Sequence, residues 1–539
     1  MQDGRRSPVD VPREAPRYTR GGFLTLAVRP AVLAGTAGLI TACGPGQRAP
    51  GRAQQQTGGP PRRGGHLTMA MNGQVKRWDP AIATVVDESI ATQAIYNNLT
   101  WLDENLRPQP DLAESWSAGP DLMTWTFKLR QGVRFHHGKL LTADDVVFTF
   151  ERLLDPATKA PARSTITWIE RIEKQDDHTV VFRLNAPNAD VPTHFGFYYF
   201  RIVPSDRTPE QIAEQPSGTG PFKLKEWSPG ERVVFTRNEQ YWQPGLPYLD
   251  GWTMVSMPEE TSRIGALTGR AIDIIWQLTA QSLPALQGNL NIAILRAPSG
   301  NYQPLVMKAD TKPFDDVRVR QAFKAVVDRE AFTKAVTQGY GKPAADHPIP
   351  EFMLPELAKE VPIPRRDLAR ARQLLAQAGY PDGLEITLYT SDGRPGMVES
   401  AVTFQEMARP AGIRVNIQKI PISTYWDEIW MKKPFCVSNW ITRPTIDNVL
   451  STIYHSQAVW NEGFWRSAEM DRLIEQARAE PDAAKRAAIY IRAAKLIQQE
   501  GHSVIAYFRD VITAASKRVR NYTAHPLTLV DLRAVWLEG

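Results

Sequence analysis

Between residues 384 and 417 the hydrophobic pattern changes from that of a strand to that of a helix and back, and this change constrains the fold strongly. Apolar and polar residues alternate over 384–388 and again over 413–417. Between them, from about Met397 to Arg409, the apolar residues recur at helical spacing. Such a unit joins two parallel strands through a helix that covers the sheet. The pattern predicts an α/β protein with mixed sheets.

Other segments carry similar local signals. Alternation around Trp125 predicts a half-buried strand. A helix is predicted from Asp316 to Gln338, another after Asp367, whose side chain can cap it, and a long amphipathic one after Asp482. The chain is therefore expected to alternate strands and helices throughout its folded body.

Length and charge narrow the classes of protein. A chain of 539 residues suggests three or four domain-sized units, and two large lobes, one of them subdivided, would fit. The net charge is +6, but residues 1–42 hold +3 of it, with six Arg against three acids. Acids and bases alternate through the rest of the chain, so we expect no nucleic-acid partner.

The amino terminus has the pattern of an export signal. A polar, Arg-rich start is followed by an uncharged segment, Ala31 to Ala42, that is 12 residues long and too short for a membrane span. It ends in Leu-Ile-Thr-Ala-Cys, which resembles the bacterial lipobox, with Cys43 as the lipidated residue. We predict a lipoprotein signal peptide over 1–42 and a flexible tether over 43–65, rich in Gly, Pro, Gln and Arg.

The motifs that would carry catalysis are incomplete. The glycines at 132 and 138 enclose five residues and Lys139 is followed by Leu, so a phosphate-binding loop is not formed. The segment 501–505 lacks the last glycine of a serine hydrolase elbow. His136 and His137 have no partner set for a metal. We predict that the protein is not an enzyme and that it binds no metal or other cofactor.

Several blocks of sequence resemble the family 5 extracellular solute-binding proteins, the peptide and nickel class that serves ABC importers. The matching blocks occur in order along the chain and are Trp78–Ala81, Ile95–Thr100, Pro110–Trp116, Thr124–Arg130, Gly132–His136, Leu141–Val146, Gly218–Leu224 with Asn238 and Tyr241–Trp242, and Lys312–Ala322 with Asp328–Glu330. The resemblance extends over roughly 66–520. His137 departs from it, since the family commonly has Asp there.

The resemblance implies a two-lobed periplasmic-binding-protein fold of type II, in the large peptide-binding class with an extra subdomain in lobe one. Lobe one is expected to span 66–302, lobe two 303–504, and residues 505–539 to return to lobe one. The ligand, a small peptide or peptide-like solute, would be enclosed between the hinged lobes. The protein would act as a monomer, held by lipid at the outer face of the cell membrane, and deliver its ligand to the permease and ATPase subunits.

Two alternatives from other classes stay open. The same fold could serve a periplasmic chaperone or a signalling receptor, and an extracytoplasmic hydrolase is a further, weaker alternative. The ligand could also be a nickel chelate, an opine-like conjugate or an oligosaccharide.

The resemblance also suggests ligand-contact residues. Peptide-binding relatives carry an acid, after a Trp in the cleft, that pairs with the ligand's ammonium group. Arg443 stands near that position here, after Trp440, and Asp447 lies four residues on. We predict that Arg443 binds a carboxylate, Trp440 packs on the ligand and Asp447 binds an amine. The alternative is that Arg443 pairs with a surface acid.

Overall fold

A computed structural model describes residues 59–539. The predicted signal peptide, Cys43 and the tether before Gly59 lie outside the described residues. The N–H of Gly64 donates to the carbonyl oxygen of Tyr248 at 2.8 Å, and that of Gly65 to Asp250 Oδ2 at 2.9 Å. The last two residues of the predicted tether are therefore bonded to the folded body.

The described part of the chain contains short strands throughout. They are β1 (His66–Met71), β2 (Thr100–Leu102), β3 (Pro108–Pro110), β4 (Ala113–Ala118), β5 (Thr124–Leu129), β6 (Ile169–Asp176), β7 (Thr179–Leu184), β8 (Phe222–Ser228), β9 (Arg232–Arg237), β10 (Gly251–Ser256), β11 (Ile274–Ile275), β12 (Ile292–Asn301), β13 (Leu305–Met307), β14 (Gly341–Pro343), β15 (Leu384–Thr390), β16 (Ile413–Lys419), β17 (Phe435–Val437), β18 (Ser503–Val504), β19 (Tyr507–Ser516), β20 (Val519–Arg520) and β21 (Trp536–Leu537).

Helices alternate with these strands. They are α1 (Val86–Ile95), α2 (Ala143–Leu154), α3 (Val191–Phe195), α4 (Pro209–Glu214), α5 (Glu260–Thr268), α6 (Val317–Ala325), α7 (Arg329–Thr337), α8 (Leu357–Glu360), α9 (Leu368–Gln377), α10 (Met397–Ala408), α11 (Ile422–Glu428), α12 (Ile446–Ile453), α13 (Ala468–Ala479) and α14 (Ala483–Glu500). Short 3-10 turns occur at 80–82, 156–158, 161–165, 280–285 and 409–411.

Two large sheets organise the body into two lobes. Lobe one contains an eight-stranded sheet in the order β12-β19-β11-β1-β10-β9-β8, with β14 paired to β19. Lobe two contains a five-stranded sheet in the order β16-β15-β17-β13-β18. The chain passes from the first sheet to the second between β12 and β13, and returns between β18 and β19.

A third sheet forms a subdomain of lobe one. Strands β4, β5, β7 and β6 pair antiparallel in that order. Their buried face packs four phenylalanines, 127, 150, 182 and 195, with Phe150 and Phe195 centroids 4.5 Å apart. Aromatic side chains of this size bury large apolar areas and fix one another's orientation. This core supports the following segment, 189–200, which reaches the space between the lobes.

The strand–helix–strand unit predicted over 384–417 is confirmed. β15 and β16 pair in parallel from Leu384 with Ile413 to Thr390 with Lys419. The connecting helix α10 buries Phe404 in the core of lobe two. Capping is also confirmed, because Asp367 accepts from the Arg370 N–H at 2.8 Å at the start of α9.

The single helix predicted from Asp316 to Gln338 is wrong, because two helices, α6 and α7, occupy this segment. The break lies at residues 326–328. Val326 and Val327 are fully buried there, and the Asp328 side chain accepts from the N–H of Ala331 at 3.0 Å. This capping contact starts a new helix at Arg329 and so interrupts the segment, although the helical periodicity of apolar residues continues through it.

Candidate ligand-binding site

A cavity of about 570 Å³ lies between the two lobes, and we call it the cleft cavity. Its lobe-one wall comes from the start of α1, Phe197–Tyr198, residues 276–281 and residues 526–528. Its lobe-two wall includes residues 394–396, Asn439, Ile441 and Thr442, and β19, which returns to the lobe-one sheet, adds Tyr507 and Arg509. The volume is in the range of roughly 300–1,000 Å³ typical of small-molecule sites.

The lobe-one wall offers a carboxylate. Asp87 lies in the first turn of α1 and accepts a hydrogen bond from the Gly73 N–H at 3.0 Å. No cation among residues 59–539 is paired with it. Burial raises the pKa of the Asp87 carboxyl, while the Gly73 N–H lowers it. An ammonium group on a ligand would form an ion pair with this carboxylate.

Two guanidinium groups line the cleft cavity, one from lobe two and one from β19. The guanidinium of Arg394, on the loop before α10, makes no hydrogen bond or ion pair within the described part of the chain. Arg509 on β19 donates to the carbonyl oxygen of Pro395 at 3.4 Å and has no carboxylate partner among the described residues. Burial lowers the pKa of Arg509. Two guanidinium groups without a carboxylate partner in the described chain favour a ligand with a carboxylate.

A hydrogen-bonded frame holds the Arg394 loop. Gln303 donates to the carbonyl oxygen of Pro395 at 2.5 Å, and the Tyr507 hydroxyl donates to Gln303. Gly396 has φ +96°, and a Cβ there would lie 2.2 Å from Gln303 Oε1. A side chain at residue 396 would therefore displace the loop that carries Arg394.

The structure brings Trp440 and Arg443 together. The Arg443 guanidinium carbon lies 5.7 Å from the Trp440 ring centroid and 5.8 Å from that of Trp460. Its Nε is buried without a partner, and burial lowers the pKa of its guanidinium. Arg443 lines a cavity of about 10 Å³ beside Ile441 and Thr442, which also line the cleft cavity.

Trp440 is held by a buried acid that the sequence analysis missed. Its indole Nε1–H donates to Glu462 Oε1 at 2.8 Å, and that of Trp430 donates to Glu462 Oε2 at 2.6 Å. Burial raises the pKa of the Glu462 carboxyl, and the hydrogen bonds from Ser438 and the two indoles oppose this. Glu462 therefore fixes the plane on which Arg443 packs.

Asp447 has a different environment from the other two predicted residues. It is buried in the first turn of α12 and pairs with Arg478, whose Nη2 lies 3.0 Å from Asp447 Oδ1. Neither Asp447, Trp440 nor Arg443 is among the residues that line the cleft cavity. The ligand-binding roles of all three stay predictions.

The histidine pair has structural hydrogen bonds. His136 Nε2 lies 3.0 Å from the carbonyl oxygen of Gly220, and His137 contacts Ser217 and Asp206. Burial lowers the pKa of His136 to about 4. Within residues 59–539 there is no group of three or more His, Cys, Asp or Glu arranged to hold a metal ion. Over the same range, each helix is too short or too polar to span a bilayer.

Comparison with known proteins decides the family. The profile of the bacterial extracellular solute-binding proteins, family 5 (middle), matches residues 107–461, which is most of the chain. The chain is a family 5 solute-binding protein. The family is extracytoplasmic, and its members are binding proteins rather than enzymes.

Relatives of this family 5 protein share most of its length. It is 29% identical over 500 residues to di/tripeptide-binding protein 3 of Pseudomonas aeruginosa, covering 86% of this chain and 93% of the relative. DppA of Helicobacter pylori, solved with the peptide STSA, is 26% identical with a TM-score of 0.74, covering 89% and 99% of the two chains. AgaA of A. tumefaciens R10, solved with agropinic acid, is 25% identical with a TM-score of 0.73, covering 88% and 99%.

Sequence reasoning missed the charged residues of the cleft cavity in this family 5 protein. Asp87, Arg394 and Arg509 are far apart in the chain and lie on α1, the loop before α10 and β19, respectively. Asp87 has the pattern of an ordinary helix-start acid. Only Arg394, in the Gly- and Pro-rich loop of the strand–helix–strand unit, carried a usable signal, because ligands bind at such loops in α/β sheets.

Proposed function

We propose that this protein captures a small peptide or peptide-like zwitterion between its lobes and delivers it to the permease and ATPase subunits of an ABC importer. The observation that carries the proposal is the arrangement of charges without an ion-pair partner in the described chain, with Asp87 on the lobe-one wall, Arg394 on the lobe-two wall and Arg509 on β19, the strand that returns to the lobe-one sheet. A ligand with an ammonium and a carboxylate group would bridge the walls and favour closure. No chemistry on the ligand is needed, so we propose no catalysis.

Domain boundaries and attachment belong to the same proposal. We place lobe one at 66–302 with 505–539, and lobe two at 303–504. The passage of the chain between the two sheets at 302–304 and 505–506 supports these boundaries. Cys43 would carry the lipid that holds the protein, as a monomer, at the outer face of the membrane.

The names of the relatives support a peptide-like ligand. One is a di/tripeptide-binding protein, and one solved structure holds the peptide STSA. AgaA was solved with agropinic acid, which supports an opine-like conjugate as a second candidate. The unpaired guanidinium groups favour a carboxylate in either case, while only the peptide candidate requires a free ammonium beside Asp87.

Calorimetry with blocked ligands tests the proposal. The full chain carrying Cys43→Ser would be titrated with a panel of dipeptides, their N-acetyl forms and their C-terminal amides. We expect each block to weaken binding at least tenfold, because a charged partner in the cleft is left unpaired at a cost of about 2–5 kcal/mol. Ligand at a hundredfold excess over Kd should also add about 2.7 kcal/mol of stability.

Variants assign each charge to one end of the ligand. Arg394→Ala should weaken the free carboxylate form and spare the amide, and Asp87→Asn should weaken the free amine form and spare the N-acetyl form. Arg466→Ala is the matched control, because Arg466 is exposed and does not line the cleft cavity. Blocked peptides that bind as tightly as free ones would contradict the proposal. Preference for unfolded chains would favour the chaperone alternative, and turnover of a peptide would favour the hydrolase.

A further inference from the structure

A second cavity, of about 370 Å³, lies behind the strands that join the lobes, and we call it the hinge cavity. Side chains alternate along β19, so that Phe508 lines the hinge cavity while Tyr507 and Arg509 line the cleft cavity, and Asp510 borders both cavities. Pro298 and Ser299 of β12 form part of the same wall. The hinge cavity is therefore on the other side of β19 from the proposed peptide site.

The opposite wall of the hinge cavity comes from the segment after β14. Residues 343–363 contribute apolar side chains, among them Ile349, Phe352, Leu357 and Val361. An apolar space of this size exceeds what a single water fills, and apolar walls give water few partners. An apolar molecule is the occupant that such walls favour.

The charged groups of the hinge cavity are already paired. Asp510 pairs with Arg296, and the Lys342 Nζ lies 3.7 Å from Glu351 Oε2. A charged occupant would find no unpaired counterion among the lining residues and would lose its hydration. The occupant is therefore expected to be uncharged.

One buried donor gives the hinge cavity polarity. His347 lines it, and its Nδ1 accepts from the Ile349 N–H at 3.4 Å. Burial lowers the pKa of His347 to about 4, so the ring is neutral near pH 7 and carries its proton on Nε2. That N–H has no hydrogen-bond partner within residues 59–539. An acceptor on the occupant, such as a ketone oxygen, would accept a hydrogen bond from this N–H.

We propose that the hinge cavity is a second binding site, separate from the peptide site, for an uncharged apolar molecule that carries one hydrogen-bond acceptor bound by the His347 N–H. The site contacts both strands that connect the lobes, through Ser299 and Phe508. It goes beyond the proposed transport function and does not depend on it.

Prodan, an uncharged naphthalene with a ketone, is the probe for this site, because its fluorescence shifts to the blue in apolar surroundings. The full chain with Cys43→Ser should bind it saturably at one site. Ala358→Trp fills the hinge cavity, and we expect it to weaken prodan at least tenfold. Lys359→Trp is the matched control, since Lys359 is the next residue of α8 and does not line the cavity. Gln281→Trp, in the cleft cavity, should also leave binding unchanged.

Competition tests the role of His347. In His347→Phe, displacement of prodan by 2-acetylnaphthalene should weaken about fivefold, as expected for the loss of one hydrogen bond, while displacement by 2-ethylnaphthalene should not. If His347→Phe does not fold, the Ala358→Trp comparison decides. Equal binding in Ala358→Trp and Lys359→Trp, loss in Gln281→Trp alone, or no saturable binding would overturn the proposal.

Discussion

The backbone N–H of Ala189 donates to the carbonyl oxygen of Arg478 at 3.1 Å and so joins the subdomain of lobe one to α13 of lobe two. The next residue, Asp190, lies at the same contact, near Asp447, Thr445 and the guanidinium of Arg478. Burial and the nearby Asp447 carboxylate raise the pKa of the Asp190 carboxyl to about 6, and this net rise includes the opposing effects of Arg486, Thr445 and Arg478. The contact between the lobes thus contains an acid that titrates near neutral pH.

Closure should strengthen as the pH falls. When the lobes separate, Asp190 should return to an ordinary pKa of about 3.9. Its pKa is higher in the joined form, so the protonated acid favours that form, and this contribution is lost as pH rises through about 6. Small-angle scattering should show a smaller radius of gyration at pH 5 than at pH 7 without ligand.

Two variants check this pH dependence. Asp190→Asn should keep the compact form at both pH values. Asp382→Asn, an exposed acid on lobe two, is the control and should behave like the native chain. A radius of gyration that does not change between pH 5 and 7 in the native chain would contradict the prediction.

Arg443→Ala should weaken a carboxylate ligand at least tenfold and its amide analogue much less. The physical reason is that its guanidinium packs on Trp440 without any ion pair in the described chain and could bind a carboxylate bidentately. Calorimetry with the acid and the amide measures the difference. Arg443→Lys should recover only part of the affinity, since a lysine lacks the planar fork. Equal losses for acid and amide would remove Arg443 from the site.

Glu462→Gln should lower the free energy of unfolding by about 1–3 kcal/mol. A glutamine has one acceptor oxygen, so one of the indole N–H groups of Trp430 and Trp440 would lose its partner. Urea denaturation at pH 7 measures this loss. Glu428→Gln, at an exposed position on α11, should change stability by less than about 0.5 kcal/mol. Equal stabilities would show that the two indoles do not depend on a carboxylate.

Cys43→Ser should release the protein from the membrane. The uncharged segment before Cys43 ends at a small residue, as a lipidation signal requires, and several acyl chains give stable anchoring where one chain does not. Carbonate washing of membranes, followed by immunoblotting, measures the released fraction. A Cys43→Ser protein that stays with the washed membranes would mean that the anchor is a transmembrane helix instead.

The α/β class, several element boundaries and the family can be predicted from the amino-acid sequence. The alternation over 384–388 and the cap at Asp367 depend on residues that are near each other in the chain. Such local interactions can therefore be predicted without knowing the tertiary structure. The two-lobed fold is expected from the resemblance to family 5, because hydrophobic periodicity gives no information about how many lobes a chain forms.

The tertiary structure decided where helices break and which charges remain available. The break between α6 and α7 lies at residues 326–328, where the Asp328 side chain caps the start of α7, and helical spacing alone does not reveal it. Asp447 was predicted to face an amine on the ligand, but α13 brings Arg478 against it. Arg394, in contrast, has no such partner in the described chain. Whether a charge is paired depends on segments that are distant in sequence, so only the folded chain determines it.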